Sequence, residues 1–484
     1  MSLGHRALRG TLWLSVANYT AYFVTFGTDI LLARLLRPED FGVVALAVSI
    51  LAMLKALSSF GLSSAIIQYQ PVDKADENRF LGTVFSVAVI ISLSVLVIIL
   101  FAAYILQYFY SYSVILVLVV LAIGTSFQTI SHIPGTLIQK RMLFRQEGIL
   151  RVISLFASSI LGIILAFNGL GYWSLVAKQL SNIAINASGN WYIAQWRPIL
   201  AWNHASLHHI WYYAKNMWVV GNIQSALNRI DDIAVGTING VEALGFYSRA
   251  YKLSRLFVEF IAPAIGRVTL PVYSRLQNDP QALASVFGIT YRSLARMSAL
   301  FYLEVGLLAP QLILVFYGKQ WLPAVAIFQV MLIYAFLYPL LGQYTVLFVA
   351  TKRPGILARL RVVQLLFFLP AVYIAALFWG TIGVAWVMNL TILLGTFLAN
   401  RETLKIIEHS IVKAAGPSVI SACATTVLVL YLPTFLSVEN IWVDVLLKAV
   451  FTATMFSSIL LLLERRTLLR DINRVRTGMF NKKV

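Results

Sequence analysis

The stretch DDIAVGTINGVEALG, residues 231–245, decides the fold because the chain contains a second version of it. TDILLARLLRPEDFG, residues 28–42, aligns with it without gaps. Each stretch crosses the end of one apolar run and the start of the next. The identical pairs are Asp29 and Asp232, Ile30 and Ile233, Glu39 and Glu242, and Gly42 and Gly245.

Two further pairs of segments extend this likeness. QKRML (139–143) falls on TKRPG (351–355), and FNGLGYWSLV (167–176) resembles FWGTIGVAWV (378–387). Recurring segments in the same order indicate an internal duplication. An even number of spans returns the chain to its starting side, so a repeat of six helices would be parallel and related by an axis along the membrane normal.

The composition places these repeats in a membrane. Of the 484 residues, 60% are hydrophobic and 12% are charged, far from the balance of soluble domains. A transmembrane helix needs about 20 mostly apolar residues. Fourteen such runs are predicted, at 12–34, 41–66, 80–106, 112–137, 147–168, 170–193, 209–238, 242–271, 286–317, 321–349, 355–378, 380–401, 412–436 and 441–464.

The predicted fold is therefore an all-α polytopic membrane protein with about 14 transmembrane helices. Two pseudo-symmetric six-helix lobes would cover residues 1–208 and 209–410. Residues 411–484 would add helices 13 and 14 and a basic cytoplasmic tail. Two lobes that face each other across a central space are typical of transporters that bind substrate at the interface.

The net charge of +19 is explained by topology rather than by nucleic-acid binding. Most of the 38 Lys and Arg residues lie at the N-terminus, in the loops after even-numbered helices and in the C-terminal tail. Positive charge accumulates on the cytoplasmic side. Both termini are therefore predicted to be cytoplasmic. Lys178, Lys215 and Lys448 lie near helix ends, and we expect them to snorkel toward water.

Charged residues inside the predicted spans concentrate on helices one, two, seven and eight. A charge facing lipid at the bilayer centre costs about 2.5–3.5 kcal/mol on the mildest scale, so intramembrane charges face wet or protein-lined interiors. Pro263, Pro310, Pro339 and Pro370 fall within predicted spans and predict kinks. The charges are Asp29, Lys55, Arg229, Asp231, Asp232, Arg249, Lys252, Arg255 and Glu259.

Two interpretations of these charges stay open. The spacing of Arg229 and Asp232, and of Arg255 and Glu259, would allow ion pairs within one helix. Arg249, Lys252 and Arg255 instead form a cationic stripe that would attract an anion in a low-dielectric cavity. The planar arginine fork suits phosphate or carboxylate.

The sequence lacks the residues and motifs that several kinds of chemistry require. Cys423 is the only cysteine and the six histidines show no ligand spacing, so no metal site is predicted. No GxxxxGK[ST] loop, GxSxG or HExxH motif occurs. No cofactor is predicted, and the protein is not expected to be an enzyme, because the longest loops leave no room for a catalytic domain.

Four segments together resemble the Wzx-type polysaccharide and O-antigen flippases of the MATE-like (MOP) exporter superfamily, closest to the colanic acid exporter branch. The likeness covers most of residues 10–400. The segments are LLARLLRPEDFGVVALAVSILAMLKALSSFGLSSAIIQ (31–68), IPGTLIQKRMLFRQEGILRVIS (133–154), GLGYWSLV (169–176) and DDIAVGTINGVEALGFYSRAYKL (231–253).

This resemblance implies a carrier in the bacterial inner membrane. It would turn a lipid-diphosphate-linked oligosaccharide from the cytoplasmic to the periplasmic leaflet by alternating access, for exopolysaccharide or O-antigen export. Membrane lipids and a polysaccharide polymerase are further expected partners. The residues expected to bind the diphosphate or acidic sugars are Lys55, Arg229, Arg249, Lys252 and Arg255.

Two questions remain open in the sequence. Asp29 and Asp232, with Glu259, could couple transport to an ion or serve as permanent ion-pair partners. The alternative function is a multidrug antiporter of the MATE type, whose cationic substrates favour acids over cations in the cavity.

Overall fold

The computed structural model describes residues 3–56, 62–208, 222–431 and 441–476, and within them the chain is helical with no strand. The all-α prediction is confirmed. Helices dominate because a lipid environment requires every backbone polar group to be satisfied within its own segment. By its internal contacts the chain forms two compact units: residues 1–248 with 376–381, and residues 249–375 with 382–484.

The first unit contains the helices from the N-terminus to the second copy of the repeated stretch. Helix α1 lies against α6, and α6 lies against α7. Asp73 caps α4 by accepting a hydrogen bond from the Asp76 amide, and Asp76 in turn accepts one from Tyr69. The hydrogen bonds from Tyr69 and from the Val72 amide hold the pKa of the Asp76 carboxyl below its usual range. The helices are α1 (Leu3–Leu35), α2 (Pro38–Ala56), α3 (Leu62–Gln68), α4 (Lys74–Leu106), α5 (Tyr112–Lys140), α6 (Phe144–Phe167), α7 (Tyr172–Ala194) and α8 (Ile230–Ala234).

The second unit begins within the following helix. Asp279 and Pro280 start α11, where the aspartate accepts a hydrogen bond from the Ala282 amide. Gly380 separates two helices within one long segment through its left-handed φ of 60°. The helices are α9 (Val241–Ser254), α10 (Leu256–Arg275), α11 (Pro280–Leu307), α12 (Ala309–Phe316), α13 (Ala324–Ala350), α14 (Pro354–Thr403), α15 (Ile411–Tyr431) and α16 (Ile441–Arg476).

Within the described residues, three predicted spans are not the continuous helices that the sequence suggested, and residues 57–61 of the run at 41–66 lie outside the described part. The run at 209–238, whose first residues 209–221 lie outside the described part, breaks at a turn over residues 228–229 and continues as a π-helical segment, Val235–Asn239. The run at 242–271 breaks at Arg255, between α9 and α10. The run at 286–317 bends by 71° between α11 and α12, where Pro310 cannot donate a helical hydrogen bond.

Seven of the described helices are long and apolar enough to cross a membrane, and an eighth span results if α11 and α12 count as one. The protein is thus a multi-pass membrane protein. The number of fourteen spans stays a prediction.

The last described helix forms ion pairs with another helix of the second unit. Helix α16 runs twelve residues beyond the predicted end at 464, and its acids bind α11. Arg292 Nη2 lies 2.7 Å from Asp471 Oδ1, and Arg296 lies 2.9 Å from Glu464 Oε2 and 3.1 Å from Asp471 Oδ2. The start of the basic tail is therefore anchored to protein by buried ion pairs.

Candidate functional site

The first copy of the repeated stretch buries its acid against a lysine from another helix. Asp29 lies on α1 and is 6% exposed. The Lys178 ammonium of α7 approaches its Oδ1 to 3.6 Å. The lysine stem passes Gly162 of α6, where a Cβ would lie 2.9 Å from the Lys178 Cβ. Lys178 therefore points into the bundle, and the expectation that it snorkels is wrong, because a buried carboxylate requires a nearby cation.

The second copy gives its acid a partner from its own helix turn. Asp232 is 8% exposed. Its Oδ2 accepts a hydrogen bond from the buried Ser49 hydroxyl of α2 at 2.8 Å and lies 3.5 Å from Arg229 Nη1. The Arg229 side chain is 38% exposed. This arginine is both paired and accessible.

The neighbouring Asp231 turns away from this pair. It is 2% exposed, and its Oδ2 accepts a hydrogen bond from Tyr247 at 2.9 Å. The π-helical segment that follows is tied down by two contacts. The Asn239 amide donates to the Ala376 carbonyl at 2.9 Å, and the Thr237 and Tyr110 hydroxyls lie 2.7 Å apart.

The repeated glycines meet each other. A Cβ at Gly42 would lie 1.6 Å from the Val241 carbonyl oxygen, and a Cβ at Gly245 would lie 2.0 Å from the Pro38 carbonyl oxygen. In the repeat alignment Pro38 corresponds to Val241, and Gly42 corresponds to Gly245. The contact is therefore reciprocal, as expected for two related elements that pack about a two-fold axis. Only glycine permits so close an approach of two backbones.

Lys55 is the remaining predicted cation in the first unit. Its ammonium donates to Gln128 Oε1 of α5 at 3.0 Å. The lysine is half-buried. It thus lies between α2 and α5, at the end of α2 remote from Gly42.

The second unit places Arg255 among tyrosine rings. Its guanidinium carbon lies 4.7 Å from the ring centre of Tyr338 and 5.5 Å from that of Tyr251, within the range of cation–π attraction. Nη1 donates to the Tyr251 hydroxyl at 2.8 Å, and Nε lies 3.9 Å from Glu259. These contacts fix the direction of the guanidinium.

The break beside Arg255 is stabilised by another tyrosine. Tyr302 of α11 donates its hydroxyl to the Ser254 carbonyl at 3.0 Å, which compensates for the interrupted helical hydrogen bonding. Arg249 and Lys252 are half-buried on the preceding helix α9.

A cavity of about 290 Å³ in the second unit shares Tyr338 with Arg255. Its other polar lining includes Gln343 and Arg361. Tyr338 thus contacts both this cavity and the Arg255 guanidinium.

The structure brings together some of the predicted site residues and gives others new partners. Arg229 contacts Asp232, and Arg255 contacts Glu259, as their spacing allows. Lys178, Ser49 and the tyrosines around Arg255 were not predicted. Tyr251 could have been found from its position four residues before Arg255. No group of three or more metal-ligating side chains occurs among the described residues.

Comparison with known proteins assigns this chain to a family. The family described as "Polysaccharide biosynthesis protein" matches residues 31–326. The succinoglycan biosynthesis transport protein ExoT of Rhizobium meliloti (strain 1021) is 21% identical over 318 residues, which cover 65% of this chain and 63% of ExoT. The match therefore spans less than two thirds of that relative. The lipopolysaccharide biosynthesis protein WzxC of Escherichia coli (strain K12) is 22% identical over 465 residues, with 92% of this chain and 88% of WzxC covered.

Two solved structures show the fold. The lipid II flippase MurJ, in an inward closed conformation, matches with a TM-score of 0.75 at 16% identity, covering 93% of this chain and 99% of MurJ. An inward-facing multidrug resistance MATE transporter of the MOP superfamily matches with a TM-score of 0.59 at 15% identity, covering 81% and 98% of the two chains. The chain belongs to the polysaccharide biosynthesis protein family, and its fold is the one shared by MurJ and the MATE transporters.

Proposed function

We propose that this protein flips a lipid-diphosphate-linked oligosaccharide repeat unit from the cytoplasmic to the periplasmic leaflet by alternating access, for exopolysaccharide or O-antigen export. The observation that carries the proposal is the likeness of fold to a lipid flippase over 93% of the chain, in a chain whose family is that of polysaccharide biosynthesis proteins. The same family supports a transporter rather than an enzyme.

The physical need for such a carrier is large. Each sugar hydroxyl costs about 4–8 kcal/mol when it enters pure hydrocarbon, so a saccharide does not cross a bilayer unaided at a useful rate. A polar path through protein removes most of this barrier while the lipid tail remains in the bilayer.

The cations would hold the diphosphate. Arg249, Lys252 and Arg255 are candidates in the second unit, and Lys55 and Arg229 in the first. Support comes from the half-buried position of these side chains and from the tyrosines that orient Arg255. A pre-oriented guanidinium loses little conformational freedom when it binds phosphate.

The acids divide between two roles. The contacts of Asp29 with Lys178 and of Glu259 with Arg255 favour ion-pair roles for these two acids. Asp232 has an accessible arginine as its partner, and we assign any coupling to protons or another ion to this residue. The six-helix lobes at 1–208 and 209–410, the bacterial inner membrane with cytoplasmic termini, and a polymerase as partner remain part of the proposal.

Reconstituted vesicles test the function. Labelled lipid-linked oligosaccharide is added, and its appearance in the opposite leaflet is followed with the purified protein and with a variant in which Arg249, Lys252 and Arg255 are all replaced by Gln. We expect transport by the unaltered protein and a loss of at least about tenfold in the variant. The matched control replaces Arg465, Arg466 and Arg470 of the C-terminal helix by Gln, which should leave transport intact.

Two outcomes contradict the proposal at different points. Unimpaired transport by the triple variant would refute the proposed diphosphate site. Efflux of cationic dyes by the unaltered protein, without any transport of the lipid-linked oligosaccharide, would favour the multidrug antiporter.

A further inference from the structure

A polar cavity of about 290 Å³ lies within the first unit. Its walls come from the second half of α5, the start of α6 and the second half of α7. The volume is close to the lower end of the roughly 300–1,000 Å³ typical of small-molecule sites. None of the cations assigned to the diphosphate lines this cavity.

One wall is a row of asparagines on α7. Asn182, Asn186 and Asn190 follow each other at intervals of four residues and therefore lie on one helix face. The Asn186 amide donates to the Ser154 hydroxyl of α6 at 2.7 Å and to the Asn182 carbonyl at 2.9 Å. The row thus fixes α7 against α6 through Asn186, and all three asparagines line the cavity.

The opposite wall on α5 is recessed. A Cβ at Gly135 would lie 3.2 Å from the Asn190 amide nitrogen, so the absence of a side chain here leaves the space open. Gln128 and His132 lie on the same helix at spacings that place them toward the same cavity, which both residues line.

The part of the lining that comes from α6 contains a carboxylate, Glu147, with one oxygen that accepts no hydrogen bond from the described residues. Glu147 Oε1 accepts from the Gln139 amide at 3.1 Å and lies 3.8 Å from Arg151. Its Oε2 is buried and has no hydrogen-bond partner among the described residues. A buried unsatisfied acceptor is costly, and a ligand hydroxyl would satisfy it.

The chemistry of the lining selects the ligand class. Among the described lining residues, the carboxylate of Glu147 and the guanidinium of Arg151 belong to the same ion pair, and the nearby Lys55 ammonium donates to the lining residue Gln128, so the lining itself carries no excess positive charge. Amides, hydroxyls and an imidazole offer donors and acceptors together, which matches the hydroxyl and amide groups of an uncharged sugar.

We propose that this cavity binds an uncharged sugar residue of the transported molecule, beside Lys55, which donates to the lining residue Gln128, while the cations hold its diphosphate. The inference rests on the proposed function and assigns to the first unit the recognition of the glycan. The asparagine row, the recess at Gly135 and the open acceptor on Glu147 are the three features that form the binding surface.

Binding of two probes by the full-length protein in nanodiscs tests this inference. The first probe is the natural lipid-linked repeat unit, extracted from a host strain that lacks the protein, and the second is bare polyprenyl diphosphate. We expect the unaltered protein to bind the first probe at least about tenfold more tightly than the second, a difference equivalent to about 1.4 kcal/mol. Gly135→Leu, which fills the cavity, and Asn190→Ala, which enlarges it, should both bring this ratio close to one and leave binding of the bare lipid unchanged.

The control is Gln107→Leu, which removes an exposed amide remote from the cavity and should keep the full ratio. Asn190→Ala guards against misfolding, since it adds no bulk, and thermal unfolding of each variant is recorded beside the binding. An unchanged ratio in both cavity variants would overturn this inference and indicate a cavity that holds only water. Failure of the unaltered protein to bind either probe would instead contradict the proposed function.

Discussion

The two copies of the repeated stretch keep the same glycine and the same acid but differ in how the acid is neutralised. Gly42 and Gly245 touch each other's helices reciprocally. Asp29 binds Lys178 from a distant helix, and both side chains are largely buried. Asp232 binds Arg229 from its own turn, and that arginine is 38% exposed. The shared glycines allow the two copies to pack closely against each other. The cation that pairs with the acid differs between the copies, Lys178 in the first and Arg229 in the second.

This difference indicates a division of roles. A buried ion pair between two helices is a fixed structural link, because separating it leaves an uncompensated charge. An accessible arginine can exchange its carboxylate for a ligand phosphate at much smaller cost. We therefore propose that the first copy is structural and that the second engages substrate.

The largest expected effect comes from the shared glycines. Gly42→Ala and Gly245→Ala each drive a Cβ into a backbone carbonyl, so the two helices must separate, at a cost of more than about 3 kcal/mol. Thermal unfolding in detergent should show similar destabilisation for both variants. Gly27→Ala is the matched control, since a Cβ there meets nothing within 4 Å, and it should change stability by less than about 1 kcal/mol. If one glycine variant kept its stability and the other lost it, the result would contradict a reciprocal contact between the two helices.

The next largest effect separates the two acids. Lys178→Met removes the cation beside buried Asp29 and should cost about 3 kcal/mol of unfolding free energy. The double variant with Asp29→Asn should recover most of this loss, because no uncompensated charge then remains. The measurement is denaturant unfolding of the single and double variants. An undiminished stability in Lys178→Met would show that the pair is not structural.

The smallest expected effect on stability is that of Arg229→Met. The side chain is more than one third exposed, so solvent screens its ion pair and the loss should be below about 1 kcal/mol. Transport should nevertheless decline, because the variant lacks the guanidinium that we propose binds phosphate. Comparing unfolding with vesicle transport distinguishes the two effects. A large loss of stability would give Arg229 the same structural role as Lys178.

The sequence predicted much of this fold but few of these contacts. Apolar runs located most of the described helices because hydropathy marks the segments that enter lipid, and Gly42 and Gly245, which the repeat alignment pairs, make reciprocal contacts. The partner of Asp29 could not be predicted, since Lys178 lies 149 positions away and only packing brings it close. The breaks at Arg229 and Arg255 also depend on contacts, such as that of Tyr302 with the Ser254 carbonyl.

The candidate site follows the same pattern. Helical spacing allowed the pairs of Arg229 with Asp232 and of Arg255 with Glu259, because both pairs are local, and the structure contains both. Tyr338 near Arg255 comes from α13, which no local pattern connects with the break between α9 and α10. The asparagine row on α7 is visible in the sequence as a period of four, but only the recess at Gly135 shows that it faces an open space.

One measurement tests the division of roles most directly. Two variants each lose a complete ion pair: Asp29→Asn with Lys178→Met, and Asp232→Asn with Arg229→Met. Their transport of labelled lipid-linked oligosaccharide is compared in vesicles at equal protein content. The account predicts that the first variant retains most of the transport and that the second loses it. Retained transport in the second variant, with loss in the first, would contradict it.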